Sequence, residues 1–158
     1  MLTNEDKKKI LKLKKDYSIY TVWSDGELFR KIVESLAEPF KNLDIDKVLG
    51  IEARGFILGA AVAYKLNVGF VVVRKSGQMY KEEYSKDDVL YEKCIDYSGK
   101  NKVLEIERHK KAIQKGDRVL IIDDWFEKGG QGQAVIRLVE RKEGRVVGIG
   151  VMLDQMTK

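Results

Sequence analysis

The segment that most constrains the fold is Val-Leu-Ile-Ile-Asp-Asp-Trp-Phe-Glu-Lys-Gly-Gly-Gln, from Val119 to Gln131. Leu120, Ile121 and Ile122 form an apolar run without polar alternation, the pattern of a strand covered on both faces. Such strands belong to parallel sheets, whose crossover helices cover both faces. The run stops on two adjacent carboxylates, Asp123 and Asp124, and then reaches Gly129 and Gly130. Residues 133–141 read as a helix, which makes the order strand, loop, helix. Small ligands bind at the carboxyl ends of strands in sheets of this kind. The glycines let backbone N–H groups approach an anion, and the helix N-terminus adds its positive dipole end. The aspartates do not suit a bare phosphate; they suit a pair of hydroxyls or a divalent metal. An anion cradle and a diol acceptor on one loop point to a sugar phosphate.

The remainder of the chain repeats the alternation. Thr3 or Asn4 caps a basic first helix, and Asp25 caps a second over 26–40, with Leu28, Phe29, Ile32, Val33 and Leu36 on one face and Pro39 near its end. Strands are expected at 47–51, 68–74, 118–123 and 146–153, with an alanine-rich buried helix at 55–66. Between the second and third strands lies a polar insert, 76–114, with β-prone patches at 89–91 and 103–106. A connection this long inside a compact domain is usually functional, and it reads as a hairpin or flexible flap. The fold class is therefore α/β: a single domain over 1–158, with a central, mostly parallel sheet flanked by helices.

Charge and cysteine usage narrow the partners. The formal net charge is +5, but the lysines are scattered, so the surface reads as solvated rather than as a nucleic-acid footprint. One cysteine, Cys94, excludes an internal disulfide and fits a reducing cytoplasm. No apolar run is long enough to span a bilayer, and the N-terminus lacks the apolar core of a signal peptide. The single histidine, His109, sits among Arg108, Lys110 and Lys111 and reads as surface.

Four segments carry a family resemblance. They are L-F-R-K-I-V-E-S-L-A-E-P-F (28–40), V-L-G-I-E-A-R-G-F-I-L-G-A-A-V-A (48–63), V-G-F-V-V-V-R-K-S-G-Q (68–78) and G-D-R-V-L-I-I-D-D (116–124). With them the chain resembles the type I phosphoribosyltransferases, nearest to the adenine phosphoribosyltransferases. The resemblance implies a transferase that moves a phosphoribosyl group from 5-phosphoribosyl-1-diphosphate to a purine base, with Mg2+ as cofactor, giving a nucleoside monophosphate and diphosphate in purine salvage. It also implies a homodimer. By the same resemblance, Arg54 and Gly55 match the diphosphate loop, Arg74 and Lys75 a basic pair meeting the diphosphate, Asp123 and Asp124 the acidic pair facing the ribose hydroxyls, and Lys128, Gly129, Gly130, Gln131 and Gly132 the 5′-phosphate cradle. Asp124, Glu127 and Asp96 are the catalytic candidates, with Tyr97 beside Asp96 in the flap.

The chain also departs from the family. The hydroxyl residues usual in the cradle are replaced in Lys128-Gly129-Gly130-Gln131, where a cation and an amide donor stand instead. Glu127 replaces the usual Ala and reads either as a proton acceptor for the base or as a loop carboxylate pairing with Lys128. The stretch 16–26 lacks the family's Pro-rich base-holding segment; its Tyr17, Tyr20 and Trp23 suit either stacking on a flat base or packing. Base-binding residues are not assigned. Two other functions stand beside the first: a nucleotide- or phosphoribosyl-diphosphate-sensing regulator on the same fold, and a phosphoribosyltransferase for another base.

Overall fold

The computed structural model describes residues 2–15, 19–75, 86–95, 99–108, 112–126 and 130–154. Its centre is a six-stranded sheet in the order β3-β4-β2-β1-β5-β6. Strands β1 (Lys47–Ile51), β2 (Gly69–Lys75), β5 (Arg118–Phe126) and β6 (Arg145–Asp154) run parallel. The hairpin β3 (Val89–Ile95) and β4 (Asn101–Glu107) joins antiparallel at the β2 edge, with Arg74 opposite Glu105. Part of the polar insert is thus an extension of the sheet. Its alternating apolar residues, Leu90, Cys94, Leu104 and Ile106, have a face to bury there.

The period of two along the central strands divides the core. Val119 and Ile121 point to one face with Leu49, Ile51, Val71 and Val73, and α4 (Gly130–Arg141) covers them with Ala134, Val135, Leu138 and Val139. Leu120 and Ile122 point to the other face with Val48, under α1 (Asn4–Lys15), α2 (Gly26–Ala37) and α3 (Arg54–Leu66). These side chains are all buried, and burying each valine, leucine or isoleucine among them stabilises the fold by on the order of 2 kcal/mol.

The helix ends follow their local chemistry. Thr3 and Asp6 cap α1 reciprocally: Asp6 N donates to Thr3 Oγ1 at 3.1 Å and Thr3 N to Asp6 Oδ2 at 2.9 Å. Asp25 caps α2 by accepting from Leu28 N at 3.0 Å. That helix stops at Ala37 and continues as a 3-10 turn, Glu38–Phe40, so the helix is shorter than its apolar periodicity suggested; Pro39 supplies no N–H to carry it on. Asn67 ends α3 in the left-handed conformation.

Two boundaries differ from the sequence reading in ways that matter for the site. Strand β5 does not end at the aspartates. It pairs with β6 through Trp125 opposite Leu153 and on to Phe126. Helix α4 starts at Gly130, earlier than expected, so Gly130, Gln131 and Gly132 form its first turn. Glycine's low helix propensity hid that turn.

Candidate functional site

The site forms where the C-terminal ends of β1 and β5 lie side by side. Leu49 and Gly50 of β1 pair with Ile121 and Ile122 of β5, which brings the turn after β1 next to Asp123. Gly50 and Gly55 pack backbone to backbone: a Cβ on Gly50 would lie 2.4 Å from Gly55 O. A Cβ on Gly55 would lie 2.8 Å from Asp123 Oδ1. Only glycine lets the start of α3 sit against the acidic pair.

Arg54 opens α3 and reaches across to β5, where its Nε lies 2.9 Å from Asp124 Oδ2. The contact is one of charge rather than of hydrogen-bond alignment, since Asp124 Oδ2 is buried without a hydrogen-bond partner among the described residues. A buried carboxylate oxygen in that condition is costly unless a donor arrives. Ligand hydroxyls are donors of the right kind.

Asp123 and Asp124 are each 5% exposed, the only buried acidic residues among those described. Asp124 N donates to Asp123 Oδ1 at 2.9 Å. Burial, then the neighbouring Asp124 charge, pushes the Asp123 carboxyl up to about 8. Burial also raises Asp124, but there the Arg54 and Lys75 charges oppose the shift. The arrangement therefore favours one proton on the pair near neutrality, with the negative charge on the member facing Arg54.

Of the second basic pair, Lys75 is near enough to act on Asp124 electrostatically. Arg74 is turned to Glu52, with its Nη2 3.5 Å from Glu52 Oε1, and Lys75 N donates to Glu52 Oε2 at 2.9 Å. Glu52 ties the end of β2 to the turn that carries Arg54, a role the sequence reading missed because a lone turn glutamate gives no pattern. The Glu52–Ala53 peptide is cis.

The aromatic candidates separate. Trp23 packs edge-on against Phe29 at 5.8 Å between ring centroids and belongs to the core. Tyr20 is exposed, and its ring centroid lies 5.8 Å from the Arg54 guanidinium carbon, at the edge of the site. Lys14, at the end of α1, lies over the Trp125 ring with Nζ 2.8 Å from its centroid, so α1 covers the strand just past the aspartates. Tyr17, Asp96, Tyr97, His109, Glu127, Lys128 and Gly129 lie outside the described residues. The structure thus brings Arg54, Gly55, Lys75, Asp123 and Asp124 together, and places Gly130, Gln131 and Gly132 at a helix N-terminus one short loop beyond β5. No group of three or more His, Cys, Asp or Glu that could hold a metal occurs among the described residues, and no helix there is long and apolar enough to cross a membrane.

Comparison with known proteins gives consistent matches. The phosphoribosyl transferase domain matches residues 25–158. The chain is 44% identical over 137 residues to an adenine phosphoribosyltransferase of Dinoroseobacter shibae, covering 86% of this chain and 71% of that protein. Identity to an adenine phosphoribosyltransferase of Clostridium botulinum is 41% over 137 residues, 86% of this chain and 74% of that one. Among solved structures, adenine phosphoribosyltransferase from Rhodothermus marinus aligns with a TM-score of 0.76 at 43% identity, covering 88% of this chain and 74% of that one. The Saccharomyces cerevisiae enzyme, complexed with adenine and an imino-altritol bisphosphate, aligns with a TM-score of 0.73 at 30% identity, covering 87% and 75%.

Proposed function

The chain belongs to the phosphoribosyl transferase domain family, and from that we propose that it transfers a phosphoribosyl group from 5-phosphoribosyl-1-diphosphate to adenine. The observation that carries the reading is the Arg54–Asp124 contact at 2.9 Å between the α3 start and β5, because it sets a diphosphate-binding cation directly beside a diol-binding carboxylate. The ligand's ribose would then lie against the acidic pair, with its diphosphate on the Arg54 side.

In this reaction N9 of adenine forms a bond to C1 of the ribose while the C1–O bond to diphosphate breaks and its electron pair leaves with diphosphate. The adenine N–H proton passes to a base. Arg54 and Lys75 stabilise the charge that grows on the leaving diphosphate. Asp123 and Asp124 accept hydrogen bonds from the ribose hydroxyls, and their net negative charge favours an oxocarbenium-like ribose. The first turn of α4, Gly130 to Gly132, presents backbone N–H groups to the 5′-phosphate. Lys128 and Gln131 stand in for the family's hydroxyl donors. Glu127 and Asp96 are the proposed proton acceptors.

Mg2+ is part of the proposal. Asp124 Oδ2, buried without a hydrogen bond beside Arg54, and its neighbour Asp123 have the oxygen chemistry a hard cation takes, and the two carboxylates would hold it only together with the substrate. A divalent ion held there would supply positive charge to offset that of the diphosphate. A homodimer is proposed as well: Ile57, Ala60 and Tyr64 lie on one face of α3, with Tyr64 89% exposed, next to the turn that carries Arg54. A cytoplasmic location fits a chain whose single cysteine, Cys94, is buried and can form no internal disulfide.

The test is to incubate the protein with phosphoribosyl diphosphate, Mg2+ and a panel of bases and to follow diphosphate release. Turnover with adenine supports the reading. Turnover only with another base moves the specificity, and binding without turnover supports a sensing role instead.

A further inference from the structure

We propose that Glu92 is a positioning residue: by fixing strand β3 on helix α4 it sets the place of the helix N-terminus that receives the 5′-phosphate. The identity of that anion rests on the function proposed above.

Glu92 lies far along the sequence from the site, in the middle of β3, yet its side chain is only 18% exposed. Both carboxylate oxygens are engaged from α4. Arg137 Nε donates to Oε2 at 3.0 Å and Arg141 Nη1 donates to Oε1 at 2.9 Å. The same guanidinium groups continue to the strand backbone, Arg137 Nη2 to Lys93 O at 3.2 Å and Arg141 Nη1 to Tyr91 O at 2.8 Å. Arginines four apart on one helix face therefore grip three consecutive strand residues. The grip holds the Glu92 carboxyl below its usual range, with the Arg137 hydrogen bond the largest cause.

A second contact fixes the same strand to the other end of the helix. Strand β3 ends at Ile95, and a Cβ on Gly130 would lie 2.5 Å from Ile95 O. The first residue of α4 thus bears directly on the end of β3. On the same strand Leu90 and Cys94 share the apolar core with Ala134, Val135 and Leu138. Strand and helix form one stiff unit, pinned at both ends. A shift of β3 along α4 drives the Ile95 carbonyl into, or away from, Gly130. The phosphate-facing turn moves with it.

The experiment compares the full chain with Glu92→Gln, which keeps the side-chain size and removes the charge. The KM for phosphoribosyl diphosphate is expected to rise about fivefold or more, the size of a modest coupling between sites, while kcat and the KM for adenine stay within about twofold. Hydrogen exchange in the first turn of α4 is expected to quicken about tenfold, with exchange in β5 unchanged. An unchanged KM for phosphoribosyl diphosphate with unchanged exchange overturns the proposal, as does a uniform loss in kcat and both KM values that follows a fall in Tm. If the unaltered protein shows no transfer to any base, the proposed function fails, while the exchange measurement still decides whether Glu92 sets the α4 N-terminus.

Discussion

Asp123→Asn should make this protein more stable, and by an amount that depends on pH. The buried Asp123 carboxyl holds its proton up to about pH 8, whereas in the unfolded chain it ionises near its ordinary 3.8. Between those values the native state binds more protons than the unfolded state, so this group lowers stability as pH rises through the window, by about 1.4 kcal/mol per pH unit. The cost is absent below pH 3.8, grows through the neutral range to on the order of a few kcal/mol, and levels off above pH 8. Asparagine does not titrate. Its amide oxygen keeps the 2.9 Å bond from Asp124 N, and it leaves Asp124 as the only charge facing Arg54. Urea unfolding of both proteins at pH 5, 6, 7 and 8 measures the difference directly. A stabilisation that is the same at pH 5 and pH 8, or a variant less stable than the parent at pH 8, refutes the reasoning. The same substitution removes an acceptor for a ribose hydroxyl, so affinity for phosphoribosyl diphosphate should fall while stability rises, the trade expected of a site that keeps two carboxylates in a buried place.

Asp124→Asn should weaken phosphoribosyl diphosphate binding by about tenfold or more with little loss of Tm, because it removes the charge facing Arg54 and the ligand; calorimetric titration with Mg2+ present measures it. Gly50→Ala should cost about 3 kcal/mol or more in denaturant unfolding, since its Cβ would meet the backbone oxygen of Gly55 at 2.4 Å and strand β1 and helix α3 cannot part without moving Arg54. Asp46 is held at about 2, chiefly by its hydrogen bonds from Arg118, so the stability it contributes is present above its ordinary 3.8 and lost as pH falls toward 2. Asp46→Asn should flatten that part of the acid-unfolding curve, and because the Arg118 and Asp46 side chains are 33% and 37% exposed, added salt should shrink the effect.

The elements that frame the candidate site were legible in the sequence because their signals are local. An apolar run ending in Asp123-Asp124 announces a buried parallel strand and a ligand at its end, and the helix of residues 54–66 shows itself by composition. The four parallel strands follow from the same local patterns. The antiparallel hairpin was only half legible: its patches at 89–91 and 103–106 are short, and their alternation gains a buried face only once they lie beside β2. Extension of β5 past the aspartates to Phe126 was decided by pairing with β6, a partner distant in sequence. Likewise, propensity argued against starting α4 at two glycines, and close packing on Ile95 outweighed it.

Sequence was enough for a mostly parallel α/β sheet with an acidic pair near the end of one strand, because strand burial and charge are properties of neighbouring residues. Tertiary structure alone decided that Arg54 faces Asp124, that Gly55 must be bare to admit Asp123, that Glu52 holds Arg74, and that Glu92 joins two arginines of α4. Each of these is an encounter between elements far apart in the chain. Whether two charges meet there, and how far water is excluded when they do, is fixed only when the sheet assembles.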